Sequence, residues 1–356
     1  MNAPVTLTSG ELPDPASLSR SQAVTLALQG GGSLGAFAWG VLDKLLDVPG
    51  LRIGVVSGAS AGAMNAAMLA QGLATGGPAE AKRLLEAFWR RVAMSSGSPD
   101  VTGAADWLFP FSGIMADALR QTTKGLARQQ INPLGLNPLR AVLDGLFDPS
   151  VLGRDGAPPL VVSATRVSSG EARLFQDAEI TTEVLLASSC LPQLFPAVEI
   201  EGEFYWDGGF SSNPPLRSLI EAGAPSDVIL VRTTPQERPV MPTSGAAILE
   251  RTEELTFGAA LRQELRSLAS AQRLIADLPA TSETLERLRD ARLHVIGAEE
   301  EFRALKIGSH QDASWAFLQE MRELGHRAAE DWLATDFAGV GHRSTFNLSS
   351  LAQPLL

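Results

Sequence analysis

A serine flanked by small residues is the first group in this sequence that could carry chemistry. Residues 58–62 read Gly-Ala-Ser-Ala-Gly, the G-x-S-x-G pattern of a sharp strand-to-helix turn that exposes a nucleophilic serine. The same pattern recurs at 31–35, so Ser33 competes formally with Ser60. We favour Ser60, because it follows an apolar, strand-like run and precedes a helical stretch of small residues. The alternative is a tight turn in which the serine is simply packed.

A glycine-rich loop precedes this serine. Residues 30–35 read Gly-Gly-Gly-Ser-Leu-Gly and lie between an apolar run and a helical pattern. Such a loop directs unpaired backbone N–H groups toward one point at a helix N-terminus, where they bind an anion. That anion is either a pyrophosphate or the oxyanion of acyl transfer. A dinucleotide turn is followed about 20 residues later by an acid at the end of the next strand. Here that strand ends Val-Val-Ser, which argues against a nucleotide.

An aspartate after an aromatic run is the third candidate. Asp207 follows Phe204, Tyr205 and Trp206 and precedes two glycines. The aromatic residues before it predict a strand that ends at Asp207. The carboxylate would then lie at the edge of a buried sheet, where it could act as a base. The alternative is an ordinary Asp-Gly turn.

A serine nucleophile needs a base, and histidine is the usual one. All four histidines lie late in the chain. His310 and His326 stand in charged, helical surroundings, and His294 lies in an apolar run. His342 follows a glycine and stays open as the base of a triad. A Ser–Asp dyad needs no histidine.

The motifs occur in a characteristic order: the glycine loop, then G-x-S-x-G, then Asp-Gly-Gly. Around the last motif lie Ala-Ser-Ser-Cys-Leu-Pro at 187–192, Leu-Phe-Pro at 194–196 and Asn-Pro-Pro at 213–215. Over residues 23–235 the sequence closely resembles the patatin-like phospholipase family of serine lipid acyl hydrolases. The resemblance implies a three-layer α/β/α fold and catalysis by a Ser–Asp dyad without metal or organic cofactor.

Carried over residue by residue, the resemblance implies that Ser60 is the nucleophile and Asp207 the base. Gly31 and Gly32 would donate N–H groups to the oxyanion. The other implied site residues are glycines: Gly30 and Gly35 of the oxyanion loop, Gly58 and Gly62 of the nucleophile elbow, and Gly208 and Gly209 after the base. The substrate is expected to be a lipid or another acyl ester. The alternative is a catalytically silent scaffold whose glycine loop binds a nucleotide or an acyl group.

One departure from the family concerns the glycine loop. Many members carry Arg or Lys just before its last glycine, whereas this chain has Leu34. The substitution removes a positive charge that could meet a lipid phosphate. Hydrolysis of acyl esters is therefore a firmer expectation than preference for phospholipid.

The elements that must position these groups alternate between strand and helix. Apolar runs predict strands, and 3.6-residue periodicity or small-residue runs predict helices. The predicted strands are 23–28, 53–56, 160–164, 173–175, 204–206, 227–232 and 293–296, and the predicted helices are 36–46, 61–71, 79–92, 182–189, 250–277 and 313–333. The alternation indicates an α/β fold with a mostly parallel sheet. We expect a poorly ordered tail at 1–22, a catalytic domain at 23–235 and a mainly helical extension at 236–356, packed on the same domain.

Composition limits the partners and the compartment. Against 29 Lys and Arg there are 40 Asp and Glu, giving a net charge of −11, which disfavours nucleic acid. The single cysteine, Cys190, excludes an intrachain disulfide and Cys-pair zinc sites. The N-terminus has no basic start or apolar core, so no secretory signal is expected. These features favour the cytoplasm, and the resemblance to lipid hydrolases implies transient, peripheral contact with membranes during turnover.

Three other apolar segments could contact a membrane or lipid. The uncharged stretches 21–42 and 53–79 are interrupted by glycine and polar residues, which favours buried strands and helices over membrane spans. The cluster at 107–115 contains Trp-Leu-Phe-Pro-Phe. It is interpreted as a loop inserted into the core, with a lipid-facing flap as the alternative.

Overall fold

The computed structural model describes residues 23–96, 137–279, 281–306 and 308–351. The predicted tail at 1–22 and the apolar cluster at 107–115 lie outside the described residues.

One mixed sheet forms the centre of the described protein. Its strands are β1 (Ala23–Leu28), β2 (Arg52–Gly58), β3 (Leu160–Arg166), β4 (Ala172–Gln176), β5 (Val198–Ile200), β6 (Glu203–Asp207), β7 (Asp227–Val231) and β8 (Arg292–Ile296). The order is β5-β6-β3-β2-β1-β7-β8, and β4 pairs with β3. Neighbouring strands from β3 through β2, β1 and β7 to β8 run parallel, whereas β4, β5 and β6 pair antiparallel. The prediction of an α/β fold with a mostly parallel sheet is confirmed.

Helices pack on both faces of this sheet. They are α1 (Gly35–Leu45), α2 (Ala61–Ser95), α3 (Pro138–Leu143), α4 (Thr182–Ser188), α5 (Leu216–Glu221), α6 (Gly245–Ile275), α7 (Glu283–Asp290), α8 (Glu299–Ala304) and α9 (Trp315–Thr335). The predicted helices at 61–71 and 79–92 are the two halves of α2, which breaks at Gly77 (φ 72°) just before Pro78. The sequence predicts none of β5, α3, α5, α7 and α8, because these elements are too short to show a period.

Strand β7 shows how the sheet separates two apolar layers. Ile229 and Val231 belong to the larger layer, with α1, α2 and α9. Val228 and Leu230 point the other way, into a smaller layer with α5, α6 and α7. All four side chains are buried, which is typical of a parallel strand covered on both faces. The layering is the α/β/α sandwich that the resemblance implies.

The chain after residue 236 completes the domain. Most of it is helical, as predicted, but β8 extends the sheet beside β7. Helix α9 packs closely on α1: a side chain at Gly40 would collide with the carbonyl of Arg322, and one at Gly325 with that of Phe37. The boundary at 235/236 stays a prediction.

Candidate active site

Ser60 lies at the sharp turn between β2 and α2. Its backbone has φ 53° and ψ −127°, a conformation that costs a non-glycine residue about 1–3 kcal/mol. The surrounding structure holds it there: the Ser60 N–H donates to the Ser188 hydroxyl at 3.0 Å and to the Ser188 carbonyl at 3.2 Å. The strained turn is what the G-x-S-x-G pattern predicts locally.

The two glycines of this turn lie where no side chain fits. A side chain at Gly58 would collide with the backbone of Gly62, and one at Gly62 would collide with the carbonyl of Leu28 at the end of β1. Their small size therefore lets β2 and α2 meet against β1.

Asp207 is the last residue of β6 and is 1% exposed. It stands opposite Ala164 of β3 in the antiparallel ladder. Its N–H donates to the Cys190 carbonyl at 2.8 Å, and its carbonyl accepts from the Thr165 hydroxyl at 2.8 Å. The backbone at Asp207 is thus held by two separate segments, β3 and the residues around Cys190.

The side chain of Ser60 lies near enough to the carboxyl of Asp207 to lower its pKa. The Oδ1 atom of Asp207 also accepts the N–H of Gly209 at 2.8 Å. Burial raises the pKa of Asp207 to about 7, although the hydrogen bonds from Gly209 and Ser60 act in the opposite direction. Near neutral pH this carboxylate can therefore take up a proton from the serine and release it again.

The glycine loop lies directly against Ser60. A side chain at Gly30 would put its Cβ 2.7 Å from Cβ of Ser60 and 2.6 Å from the Ala59 carbonyl. The Gly30 N–H donates to Oδ1 of Asn213 at 2.7 Å. The absence of a side chain at Gly30 therefore lets the loop lie close to Ser60. The N–H group of Gly30 is already hydrogen-bonded to Asn213.

The remaining loop amides divide into engaged and unengaged groups. The N–H of Gly35 donates to the carbonyls of Gly32 and Ser33. In the described ranges, no acceptor faces the N–H of Gly31 or that of Gly32, whose φ is +59°. Of the four loop glycines expected at the oxyanion site, these two have amides available to a ligand.

Ser33, the formal competitor of Ser60, is buried within the short turn Gly32–Leu34. The serine side chain that acts on the pKa of Asp207 is that of Ser60. Leu34, where many family members carry a cation, packs into the larger apolar layer.

Three polar residues that sequence reasoning missed anchor the loop. Asn213 accepts the N–H of Gly30, and the Thr233 hydroxyl donates to the carbonyl of Gly30 at 2.9 Å. Buried Gln29 accepts the Thr233 N–H at 2.9 Å and donates to the Thr234 hydroxyl at 3.0 Å. Asn213 begins the Asn-Pro-Pro motif, so a signal existed, whereas Gln29 and Thr233 follow apolar strands without a distinguishing pattern.

The histidines contact other groups. The His294 ring is fully buried, with Nε2 3.1 Å from Oδ1 of Asp227 and Nδ1 3.1 Å from Oγ1 of Thr345. The His310 ring faces Glu250 and Glu253. Across the described ranges, no histidine hydrogen-bonds Ser60 or Asp207, and no cluster of His, Cys, Asp and Glu has the arrangement of a metal site.

Comparison with known proteins gives one family match. A family model described as patatin-like phospholipase matches residues 26–220, which is more than half of the chain. A search of curated proteins gave no match. Among solved structures, the crystal structure of VipD from Legionella pneumophila is similar at 15% identity, with 88% of this chain and 67% of that chain covered and a TM-score of 0.38. In the part of the chain described, no helix is both long and apolar enough to span a bilayer.

Proposed function

The chain belongs to the patatin-like phospholipase family, and on this premise we propose that it is a serine hydrolase that cleaves the acyl esters of lipids. Family membership supports lipid acyl hydrolase activity in general. The finer assignment, that Ser60 and Asp207 form the catalytic dyad, rests on one observation. The Ser60 side chain, at a strained turn, lies beside a carboxyl whose pKa is raised to about 7 by burial.

In the first step, Asp207 accepts the hydroxyl proton as Oγ of Ser60 attacks the ester carbonyl. The carbonyl oxygen becomes an oxyanion, which the N–H groups of Gly31 and Gly32 stabilise. Two features support these donors: both amides lack an acceptor among the described residues, and the loop contacts Ser60 through Gly30. One such donor contributes about 3–4 kcal/mol to the transition state.

The tetrahedral intermediate then collapses. The bond between the carbonyl carbon and the alcohol oxygen breaks, and Asp207 returns its proton to the leaving alcohol. A water molecule next gives a proton to Asp207 and attacks the acyl-serine carbonyl. Collapse releases the carboxylic acid, and Ser60 recovers its proton from Asp207, so the carboxyl acts alternately as base and acid.

Hydrolysis of a short and a long p-nitrophenyl ester tests the dyad. The variants are Ser60→Ala, Asp207→Asn and, as the matched serine control, Ser33→Ala, each checked for folding by circular dichroism. We expect Ser60→Ala and Asp207→Asn to abolish turnover, whereas Ser33→Ala keeps most of it. A fluorophosphonate should label Ser60 in the wild type, and a peptide map locates the label.

The competing hypothesis is a silent scaffold that binds a nucleotide or an acyl group. It would be supported if the wild type hydrolysed no ester, Ser60 resisted the fluorophosphonate, and NAD(H) or ATP raised the Tm. Ester hydrolysis lost equally in Ser33→Ala and Ser60→Ala would instead reopen the choice of nucleophile.

A further inference from the structure

Helix α6 lies beyond residues 26–220, the part of the chain that matches the family, and yet it reaches the proposed active site. Its Phe257 makes the contact. The ring of Phe257 stacks on that of Phe210, three residues after Asp207, with ring centroids 4.7 Å apart. The region outside the family match therefore contributes a side chain beside the proposed base.

The Phe257 ring and the Asp207 carboxyl face the same small space above Gly209. A Cβ added to Gly209 would lie 2.4 Å from Cδ1 of Phe257 and 3.1 Å from Oδ1 of Asp207. The same carboxyl oxygen accepts the N–H of Gly209 at 2.8 Å. The ring therefore packs directly on the glycine whose N–H holds the carboxylate.

The exposure of these residues gives the ring the position of a cover. Asp207 is 1% exposed, and Gly208 and Gly209 are buried with it. Phe257 and Phe210 are only partly buried, so they lie between solvent and the two glycines. On the α6 side, hydrocarbon thus separates water from the carboxyl.

Hydrogen bonds fix α6 in this place. The Phe257 carbonyl accepts from Nδ2 of Asn213 at 3.4 Å, and Oδ1 of Asn213 accepts the N–H of Gly30. Two turns farther along α6, the carboxylate of Glu264 accepts the N–H of Arg217 at 3.0 Å. The helix is therefore joined at two points to the segment that follows Asp207, and these bonds hold the ring over the carboxyl.

The charged and titratable side chains of the elements around Asp207 are engaged with other groups. On α6 these are Glu250 and Glu253 with His310, Glu254 with Arg238 and Arg251, and Arg262 with the Leu255 carbonyl; on β3 Arg166 faces Glu171 and Glu203, and after α4 Cys190 contacts the Pro196 carbonyl. Among the described residues, the influences on the pKa of Asp207 are burial, the Gly209 N–H and the Ser60 side chain. The exclusion of water, rather than a neighbouring charge, therefore controls how basic this carboxylate is.

We propose that Phe257 is a positioning residue of the hydrolase, whose ring excludes water from the Asp207 carboxyl and holds Gly209 against it. The inference rests on the proposed function, in which Asp207 is the base. Because the ring keeps the carboxylate poorly solvated, the carboxylate is basic enough to take the Ser60 proton near neutral pH. The ring acts through the carboxyl and forms no bond to the substrate.

The pH dependence of kcat/KM for a soluble short ester tests this role. Phe257→Ala removes the ring, and Phe257→Leu keeps hydrocarbon over Gly209. The matched control is Leu265→Ala, which truncates a buried leucine about two turns along the same helix. Circular dichroism confirms that each variant is folded.

The direction of the change follows from the causes of the raised pKa. Burial is the largest influence on the pKa of Asp207, so water admitted by Phe257→Ala lowers it. We expect the apparent pKa of the profile to fall by about one pH unit, and the plateau to fall about threefold or more because a weaker base accepts the proton less readily. Phe257→Leu should keep most of the wild-type profile. Leu265→Ala should lower the Tm and leave the profile unchanged.

Three results would overturn the proposal. A wild-type profile in folded Phe257→Ala would mean that the ring serves packing alone. A change confined to KM for long-chain esters would make the ring a contact for the acyl chain instead. The same change of profile in Leu265→Ala would show that any loosening of α6 alters the site, without a particular role for Phe257.

Urea denaturation separates this proposal from the proposed function, because it needs no turnover. The stability gained by Asp207→Asn between about pH 5 and about pH 8.5 measures how far the fold raises the pKa of Asp207. In the Phe257→Ala background this gain should be about half of that in the wild-type background. If the parent protein hydrolyses no ester but the gain shrinks, the role of Phe257 stands and the hydrolase fails. If the parent hydrolyses the ester and the gain is unchanged, the hydrolase stands and the role of Phe257 is overturned.

Discussion

The N–H of Gly30 donates a hydrogen bond of 2.7 Å to the side-chain oxygen of Asn213, 183 residues farther along the chain. This bond joins the glycine loop, which contacts Ser60, to the segment that follows Asp207. Through the side-chain amide of Asn213 the connection continues to Phe257 of α6. One buried amide therefore joins the loop to the segment that follows the carboxylate and to α6.

Asn213→Ala should slow turnover more than it weakens substrate binding. The change leaves the Gly30 N–H unpaired and frees the loop to shift, so we expect kcat to fall about 10- to 100-fold with little change in KM. Steady-state hydrolysis of a soluble ester measures both constants. The control is Asn137→Ala, which removes an asparagine that caps α3 and is expected to lower the Tm without lowering kcat. A wild-type kcat in Asn213→Ala would show that the loop is aligned without this bond.

The parts of the site that the sequence makes visible depend on local geometry. A serine between glycines at a strand-to-helix turn needs only neighbouring residues to define it, and Ser60 is found in that conformation. The apolar runs that predict β1, β3 and β7 are buried on both faces, so composition alone marks them. Asp207 is visible because the aromatic run before it indicates a strand end.

The remaining features depend on contacts between distant segments. Nothing near Gly30 or Gly35 in the sequence shows that their N–H groups are engaged, because Asn213 is distant and the Gly35 bond requires the turn to form. Likewise, α6 begins at Gly245 rather than at residue 250, since its first turn lacks the charges from which the helix was predicted. The inward orientation of Glu254 becomes visible only when Arg238 folds beside it.

Asp207→Asn should stabilise the fold at alkaline pH while abolishing turnover. Because the pKa of Asp207 is raised from 3.8 to about 7, the folded protein between these values holds a proton that the unfolded chain has lost. Wild-type stability therefore falls as the pH rises through this window, by about 4 kcal/mol at most. Because an asparagine side chain stays neutral, the stability of the variant lacks this dependence on pH.

Urea denaturation at about pH 5 and about pH 8.5 measures the effect. The variant should exceed the wild type in free energy of unfolding by more at the higher pH than at the lower one, since at about pH 5 only part of the loss has occurred. Asp155→Asn, which changes an exposed carboxylate, serves as the control and should show no such gain. An equal difference at both pH values would mean that the carboxyl of Asp207 does not titrate in this range.

The rate of ester hydrolysis should follow the ionisation of Asp207. A base must be deprotonated before the serine attacks, so kcat/KM is expected to rise with pH and to level off above an apparent pKa of about 7. A pH–rate profile with a soluble ester provides the measurement, and Ser33→Ala should give the same profile. A rate that is constant from about pH 5 to about pH 8 would remove Asp207 as the base.

Gly32→Ala should damage catalysis in a way that backbone strain alone does not. Gly32 has φ +59°, and a side chain there would collide with the His310 carbonyl, so the loop must move. We expect kcat to fall about 100- to 1,000-fold, the effect of losing an oxyanion donor. Gly170→Ala matches the strain, since Gly170 has φ +75° with open space around it. Both variants should lose stability, and only Gly32→Ala should lose turnover; equal kcat values would contradict the assignment.

His294→Ala should destabilise the protein and leave its chemistry intact. The ring contacts Asp227 and Thr345, and Asp227 is further held by Arg292 at 2.8 Å and by the N–H of Gly341 at 2.8 Å. Although burial alone would raise the pKa of Asp227, the hydrogen bonds from His294, Arg292 and Gly341 outweigh it and hold the pKa well below its usual range. Removing the ring weakens this buried cluster and should cost about 2–4 kcal/mol.

Thermal unfolding and ester hydrolysis together measure the two effects, with kcat taken below the variant's Tm. His342→Ala, at the position left open by the sequence for the base of a triad, is the companion variant and should change neither quantity. Because the pKa of Asp227 is depressed, its contribution to stability is present above about pH 4 and declines as the pH falls below it, so the deficit of His294→Ala should shrink in acid. If either histidine variant is fully folded but has a lower kcat, a histidine takes part in the mechanism and the Ser–Asp dyad is wrong.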